Sequence, residues 1–284
     1  MRKAAFALAF VLLALPAAAQ DVKVGQVNDR RSSGSFAHLM IYLELPKFRN
    51  ADVTASRVLV SAAVDDSGRS LIDSEGREPD LEPNSRGMGR EDGPPQPAVV
   101  SLTLKSPDRK AKTLKEARGE IELYMPSKDP NSVADIPKFV SLSGKTLSHR
   151  ALKANGVEIA LVSPAQLAAE KKRLGDEKRK SLKEGGYSEE DLDSLVKSYL
   201  ESLLSVEPAD VLLRVKDPNK RIQSISYVDP AGEEKRVSTH DEEGMTILST
   251  WGEKPQPEWK LRVSMKTAKN VVRQPFALTN VPLP

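Results

Sequence analysis

The chain has 284 residues, with 43 Lys and Arg against 40 Asp and Glu, no Cys, and an aromatic content of only 5%. A formal charge of +3 is too small for a nucleic-acid footprint, the lack of Cys excludes disulfides and a lipid-modified Cys, and no apolar run reaches the roughly 20 residues of a bilayer span. Twenty prolines in a chain poor in aromatics suit many short strands and turns better than a helical bundle.

The first residues, MRKAAFALAFVLLALPAAAQ, combine a basic start at Arg2 and Lys3, an apolar run from Ala4 to Leu15, and small residues after Pro16. This is the pattern of a secretory signal peptide over residues 1–19, with cleavage near Ala19, and it predicts a periplasmic or secreted mature chain. Cleavage removes two bases and no acid, so 43 against 40 becomes 41 against 40.

In "FAHLMIYLEL" the residues Ala37, Leu39, Ile41, Leu43 and Leu45 recur at every second position, the period of a strand with one buried face. "SRVLVSAAVDDSG" predicts a strand with Val58, Val60 and Ala62 on one face, closed by a turn at Asp65-Asp66-Ser67-Gly68. Residues 73–97 are rich in Gly, Pro and charge and predict a long loop; whether it holds calcium is left open, because it lacks the alternate-position oxygens and terminal Glu of an EF-hand. Strands are predicted at "AVVSLTLKS", "RGEIELYMP", "DIPKFVSL" and "GVEIALV", and after residue 205 at "ADVLLRVKD", "RIQSISYVDPAG", "EKRVSTH", "GMTILSTW", "EWKLRVSMK" and "VVRQPFALTNVPLP".

An internal echo links the two halves. Asp66-Ser67-Gly68 is answered by Asp229-Pro230-Ala231-Gly232, and Pro95-Gln96-Pro97 by Pro255-Gln256-Pro257, each before a strand. The echo predicts two related sandwiches in series. The closing "VVRQPFALTNVPLP" with "VDPAG" resembles the last strands of Ig-like domains in exported bacterial proteins of unknown role. That resemblance covers about the last third of the chain, implies the fold, and brings no catalytic residues.

Between the halves, Ser163 with Pro164 and Gln166 forms a capping box opening a helix, Gly185-Gly186 ends it, and Ser188 with Glu189, Glu190 and Asp191 opens a second. The second helix carries Leu192, Leu195, Val196, Tyr199 and Leu203 at helical spacing, whereas the first offers only Leu167, Leu174 and Leu182, with Gly175 weakening its middle. The first helix is therefore expected mostly to face water. A helix of net +3 followed by one of net −4 can pair antiparallel, leaving the stripe either on a sandwich as a strut or offered to a partner.

The expected fold is mainly β: two antiparallel Ig-like β-sandwich domains, residues 20–162 and 206–284, with a helical hairpin, 163–205, inserted between them. Gly144-Lys145-Thr146 resembles the end of a P-loop, but Phe139 stands where the first Gly is required, and a turn is expected. The three histidines, His38, His149 and His240, lack a nucleophile elbow, and Arg150 beside His149 disfavours a protonated general base. "THDEEG" at Thr239 to Gly244, which gathers His240, Asp241, Glu242 and Glu243, is expected to be a charged hairpin turn, not a metal site. Trp251 and Trp259 are too few for a sugar-stacking cleft and fit the second core.

These residues point to an exported, non-enzymatic envelope protein for binding or scaffolding, with no cofactor or metal. Its expected contact with another protein runs through Leu192, Leu195, Val196, Tyr199 and Leu203. The alternative is a carbohydrate or anionic-polymer module, or a lipid-headgroup binder, using the basic turn at Arg109, Lys110, Lys112 and Lys115 and its counterpart at Lys266, Lys269 and Arg273. A third reading is a hydrolase with an unrecognised carboxylate pair.

Overall fold

The computed structural model describes residues 21–31, 37–72, 79–84, 96–203, 206–250 and 252–284. The expected signal peptide lies outside them, as do Trp251 and most of the 73–97 loop. Six strands come first: β1 (Lys23–Arg30), β2 (His38–Arg49), β3 (Ala55–Asp65), β4 (Glu82–Pro83), β5 (Pro97–Lys105) and β6 (Thr113–Tyr124). Then come β7 (Val133–Pro137), a short helix α1 (Arg150–Asn155), β8 (Glu158–Leu161), and two longer helices, α2 (Pro164–Glu184) and α3 (Glu189–Leu203). The chain closes with β9 (Val211–Lys216), β10 (Ile222–Val228), β11 (Glu234–Arg236), β12 (Ser238–Glu242), β13 (Met245–Ser249), β14 (Lys260–Met265) and β15 (Val271–Pro282). The described residues are mainly β, in four antiparallel sheets.

Two compact units divide the chain: one runs to Met125 and resumes at Val271–Pro284, the other is Pro126–Asn270. The first holds the sheets β1-β2-β5 and β15-β6-β3-β4. One apolar core is shared by both: Leu39, Ile41, Leu43 and Leu45 of β2 join Leu114, Ala117, Ile121 and Leu123 of β6 and Phe276 and Leu278 of β15. The period-2 pattern of β2 is thus realised. On β3 a register shift between Val60 and Ala62, opposite β6, interrupts it. An inserted residue flips the strand, so Ala63 and Asp65 face inward, where unbroken alternation predicts Ala62.

The second unit holds β11-β10-β14-β7 and β12-β13-β9-β8. Its core includes Ile136, Phe139, Leu152, Ile159, Leu213, Tyr227, Leu248, Trp259 and Val263. The Phe139 ring stacks on Tyr227 at 5.3 Å, with Trp259 on Tyr227 at 6.1 Å. Helix α1 was not legible as a helix: it is six residues long and capped by His149, whose Nδ1 accepts from Ala151 N at 3.1 Å, and Gly156 stops it.

These units divide the chain elsewhere than the sequence pattern suggested. The hairpin leaves after β8 and returns into β9, yet these strands are neighbours, with Ile159 opposite Val215. It is therefore an excursion within the second unit and does not join two domains. The neighbour orders of the units also correspond, β1-β2-β5 with β8-β9-β13, which β12 extends by one strand, and β15-β6-β3-β4 with β7-β14-β10-β11. In each the central strand passes its successor to the other unit: β7 follows β6 but pairs with β14, and β15 follows β14 but pairs with β6. Strand lengths match this exchange, since 12-residue β15 lies along 12-residue β6 and 5-residue β7 along 6-residue β14.

The echoed turns are the same turn. Gly68 N donates to Asp65 O and Gly232 N to Asp229 O, at 3.1 and 3.0 Å. Arg69 N and Glu233 N each donate to the Oδ1 of the leading Asp at 2.9 Å. The glycines have φ +86° and +87°, in the left-handed region that favours Gly. The correspondence begins at Asp65, one residue before the sequence match.

Candidate docking and anion-binding surfaces

The hairpin begins with the capping box read from sequence. Ser163 Oγ accepts from Gln166 N at 3.2 Å, and Gln166 Oε1 accepts from Ser163 N at 2.9 Å. Leu167 and Leu174 of α2 pack on the face of the β13-β9 pair made by Leu212, Met245 and Ile247, and Arg214 reaches Glu170 at 3.2 Å. That face was legible in the consecutive apolar pairs Leu212-Leu213 and Ile247-Leu248, since adjacent residues of a strand point to opposite faces and both must then be buried. The base of α2 is thus packed through Leu167 and Leu174, while most of the helix faces water, as its sequence suggested.

Further out, Leu182, Leu192 and Val196 form a cluster of their own, joined to the basal one through Leu200. Gly175 is the near-contact point: a Cβ there would lie 3.3 Å from Leu200 Cδ1 and 3.5 Å from Val196 Cγ1. The opposite helix charges meet as Arg179–Asp193 and as Lys183–Glu189 at 2.6 Å. Of the five stripe residues, Leu192 and Val196 are buried inside the hairpin, Leu195 is 37% exposed, and Tyr199 is partly covered, with Lys178 Nζ 5.0 Å from its ring centre. Leu203 closes α3, and its side chain lies outside the described set. Tyr187, between the helices at the tip, is 54% exposed.

The basic turn joins β5 to β6. Arg31, itself held by Asp29 at 2.6 Å, donates to the carbonyls of Asp108, Arg109 and Ala111 at 3.1, 2.8 and 2.9 Å. Asp108 N donates to Asp65 Oδ2 at 2.9 Å, and Lys112 N to the Asp66 carboxylate at 3.1 Å. Burial alone would raise the pKa of Asp65, but bonds from Asp108 N, the Ser67 hydroxyl, Arg69 N and Ser67 N outweigh it and hold the carboxyl below its usual range. Arg109, Lys110, Lys112 and Lys115 are exposed. The sequence found these cations but gave no sign of the Arg31 and Asp65 scaffold beneath them. Of their counterparts, Lys266 and Lys269 belong to the second unit, while Arg273 sits on β15 of the first and bonds Glu122 at 3.0 Å.

Other candidate chemistry is engaged structurally. Phe139 fills the core, and Gly144-Lys145-Thr146 is a turn that no helix directly follows. His240, Asp241 and Glu242 lie on β12 opposite Ile247, Thr246 and Met245, so successive side chains point to alternate faces. Among the described residues no group of three or more His, Cys, Asp or Glu could hold a metal ion. A groove of about 420 Å³ in the second unit is lined by Asp129, Ser132, Arg262 and prolines, but Arg262 forks onto Asp135 at 2.7 and 2.8 Å. That bond lowers the Asp135 pKa, and Asn131 N with the Thr267 hydroxyl lowers that of Asp129. Burial, with Asp210 nearby, raises the Tyr227 phenol.

No described helix is long and apolar enough to cross a membrane. Compared with protein-family models, with curated proteins and with solved structures, the chain matches none.

Proposed function

We propose that the chain is an exported, non-enzymatic binding or scaffolding protein of the bacterial envelope, built of two Ig-like β-sandwich units. In this reading it contacts a protein partner through the distal half of the α2–α3 hairpin. The observation that carries it is the split in the hairpin's apolar residues: Leu167 and Leu174 anchor the base on a sheet, whereas Leu182, Leu192 and Val196 close on one another. Tyr187 and Leu195 are left 54% and 37% exposed. A 21-residue helix is about 31 Å long, so an arm anchored near its base carries its tip well away from the supporting sheet.

A binder is favoured over a catalyst because the shifted carboxylates are engaged in holding turns and strands, as Asp65, Asp129 and Asp135 show. Export rests on the N-terminal sequence. The test is the double variant Tyr187→Ala/Leu195→Glu, compared with the parent chain for the envelope protein each retains at about 0.3 M salt. Loss of an aromatic anchor predicts at least about a 30-fold weaker complex at an unchanged melting temperature. Equal retention by both chains contradicts the reading.

A further inference from the structure

We infer that the β5–β6 turn of the first unit is a docking surface for a bilayer rich in anionic phospholipid. The turn is fixed from within. The N–H groups of Asp108, Lys110, Ala111 and Lys112 all bond to Asp65, Asp66 or Asp108. The carbonyls of Asp108, Arg109 and Ala111 accept from Arg31, and that of Lys112 accepts from Leu283 N at 2.9 Å.

This arrangement has a consequence for the ligand. The acids nearest the turn already face its backbone, and Glu116, beside Lys115, pairs with Arg118 at 3.4 Å. Arg109, Lys110, Lys112 and Lys115 remain exposed and form no ion pair or hydrogen bond through their side chains among the described residues. What is offered outward is charge on a short, fixed turn and, at Lys115, on the start of the strand that leaves it. A sugar polymer is held by directional hydrogen bonds and ring stacking, but most of the turn's backbone groups are engaged and it carries no aromatic residue. Headgroup phosphates on a plane need only clustered cations, each strengthening attachment about fivefold near an anionic surface.

The probe is the full mature chain with vesicles of phosphatidylglycerol and phosphatidylcholine, followed by sedimentation. The expected result is partition onto the anionic vesicles only, lost as salt rises from about 0.05 to 0.5 M. Lys110→Glu/Lys112→Glu/Lys115→Glu should reduce it at least about 100-fold, and the matching triple Lys→Arg variant should retain it. Circular dichroism of both variants confirms that the fold is kept. Equal partition onto neutral vesicles, unchanged partition of the Glu variant, or tighter binding of a soluble anionic polysaccharide at equal charge concentration would each overturn the inference.

Discussion

The ring of Phe276 on β15 lies against Gly119 of β6, the residue directly opposite it in the register. A Cβ built on Gly119 would sit 2.9 Å from Phe276 Cε1 and 2.0 Å from the carbonyl oxygen of Leu59 on the other flanking strand. Three strands therefore close on a position that admits only hydrogen. Gly119→Ala should destabilise the first unit by about 3 kcal/mol or more, and Phe276→Ala by about 3–5 kcal/mol. Urea unfolding followed by a probe in that unit checks both.

Because β15 completes the first unit after the second has been traversed, truncation has a specific expected outcome. The fragment Pro126–Asn270 should fold alone. Residues 21–125 should stay unfolded until a Val271–Pro284 peptide supplies Phe276, Leu278 and Val281 to the core. Fragments cut at 162 and 205 sever β8 from β9 and β7 from β14, and neither should give a cooperative melt. Far-UV circular dichroism of the four pieces is the measurement.

Local patterns made much of this readable. The alternation of β2 and the Ser163 capping box encode their own structure within a few residues, and the structure follows them. The exchange of β7 and β15 was not readable, because nothing in "VADIP" or "VVRQPFALTNVP" states which sheet edge will accept the strand; that is set by matching lengths and by Phe276 meeting Gly119. The β3 bulge was hidden for a related reason, since one extra residue leaves composition unchanged and reverses the faces. At the candidate sites, helical spacing revealed the α3 stripe but not that Leu192 and Val196 would be buried within the hairpin.

Three carboxyls with lowered pKa values predict an acid response. The pKa values of Asp65, Asp129 and Asp135 all lie below the usual 3.8 in the folded chain. The unfolded state therefore takes up protons first, so their contribution is fully present above the unfolded value and is lost as pH falls through the folded ones. The urea midpoint should be flat from neutral pH to about pH 5 and drop steeply below about pH 4. Asp65→Asn should lower the neutral-pH midpoint and flatten that drop.

The two parts of the hairpin should respond differently. Leu174→Ala at the base opens a cavity against Leu212 and Ile247 and should cost about 2–4 kcal/mol. Arg179→Ala, which removes an exposed, solvent-screened pair with Asp193, should leave the melting temperature nearly unchanged. Thermal melts of the full chain separate the two outcomes.

Site-specific photocrosslinking in the envelope tests the docking arm most directly. A photoreactive side chain would replace Tyr187 or Leu195 at the exposed end of the hairpin, with exposed Lys145 in the second unit as the control position. The account predicts one discrete protein adduct, shared by positions 187 and 195, missing at 145, and lost from position 187 when Leu195 is changed to Glu. Adducts of equal yield at all three positions, or adducts at 145 alone, would contradict it.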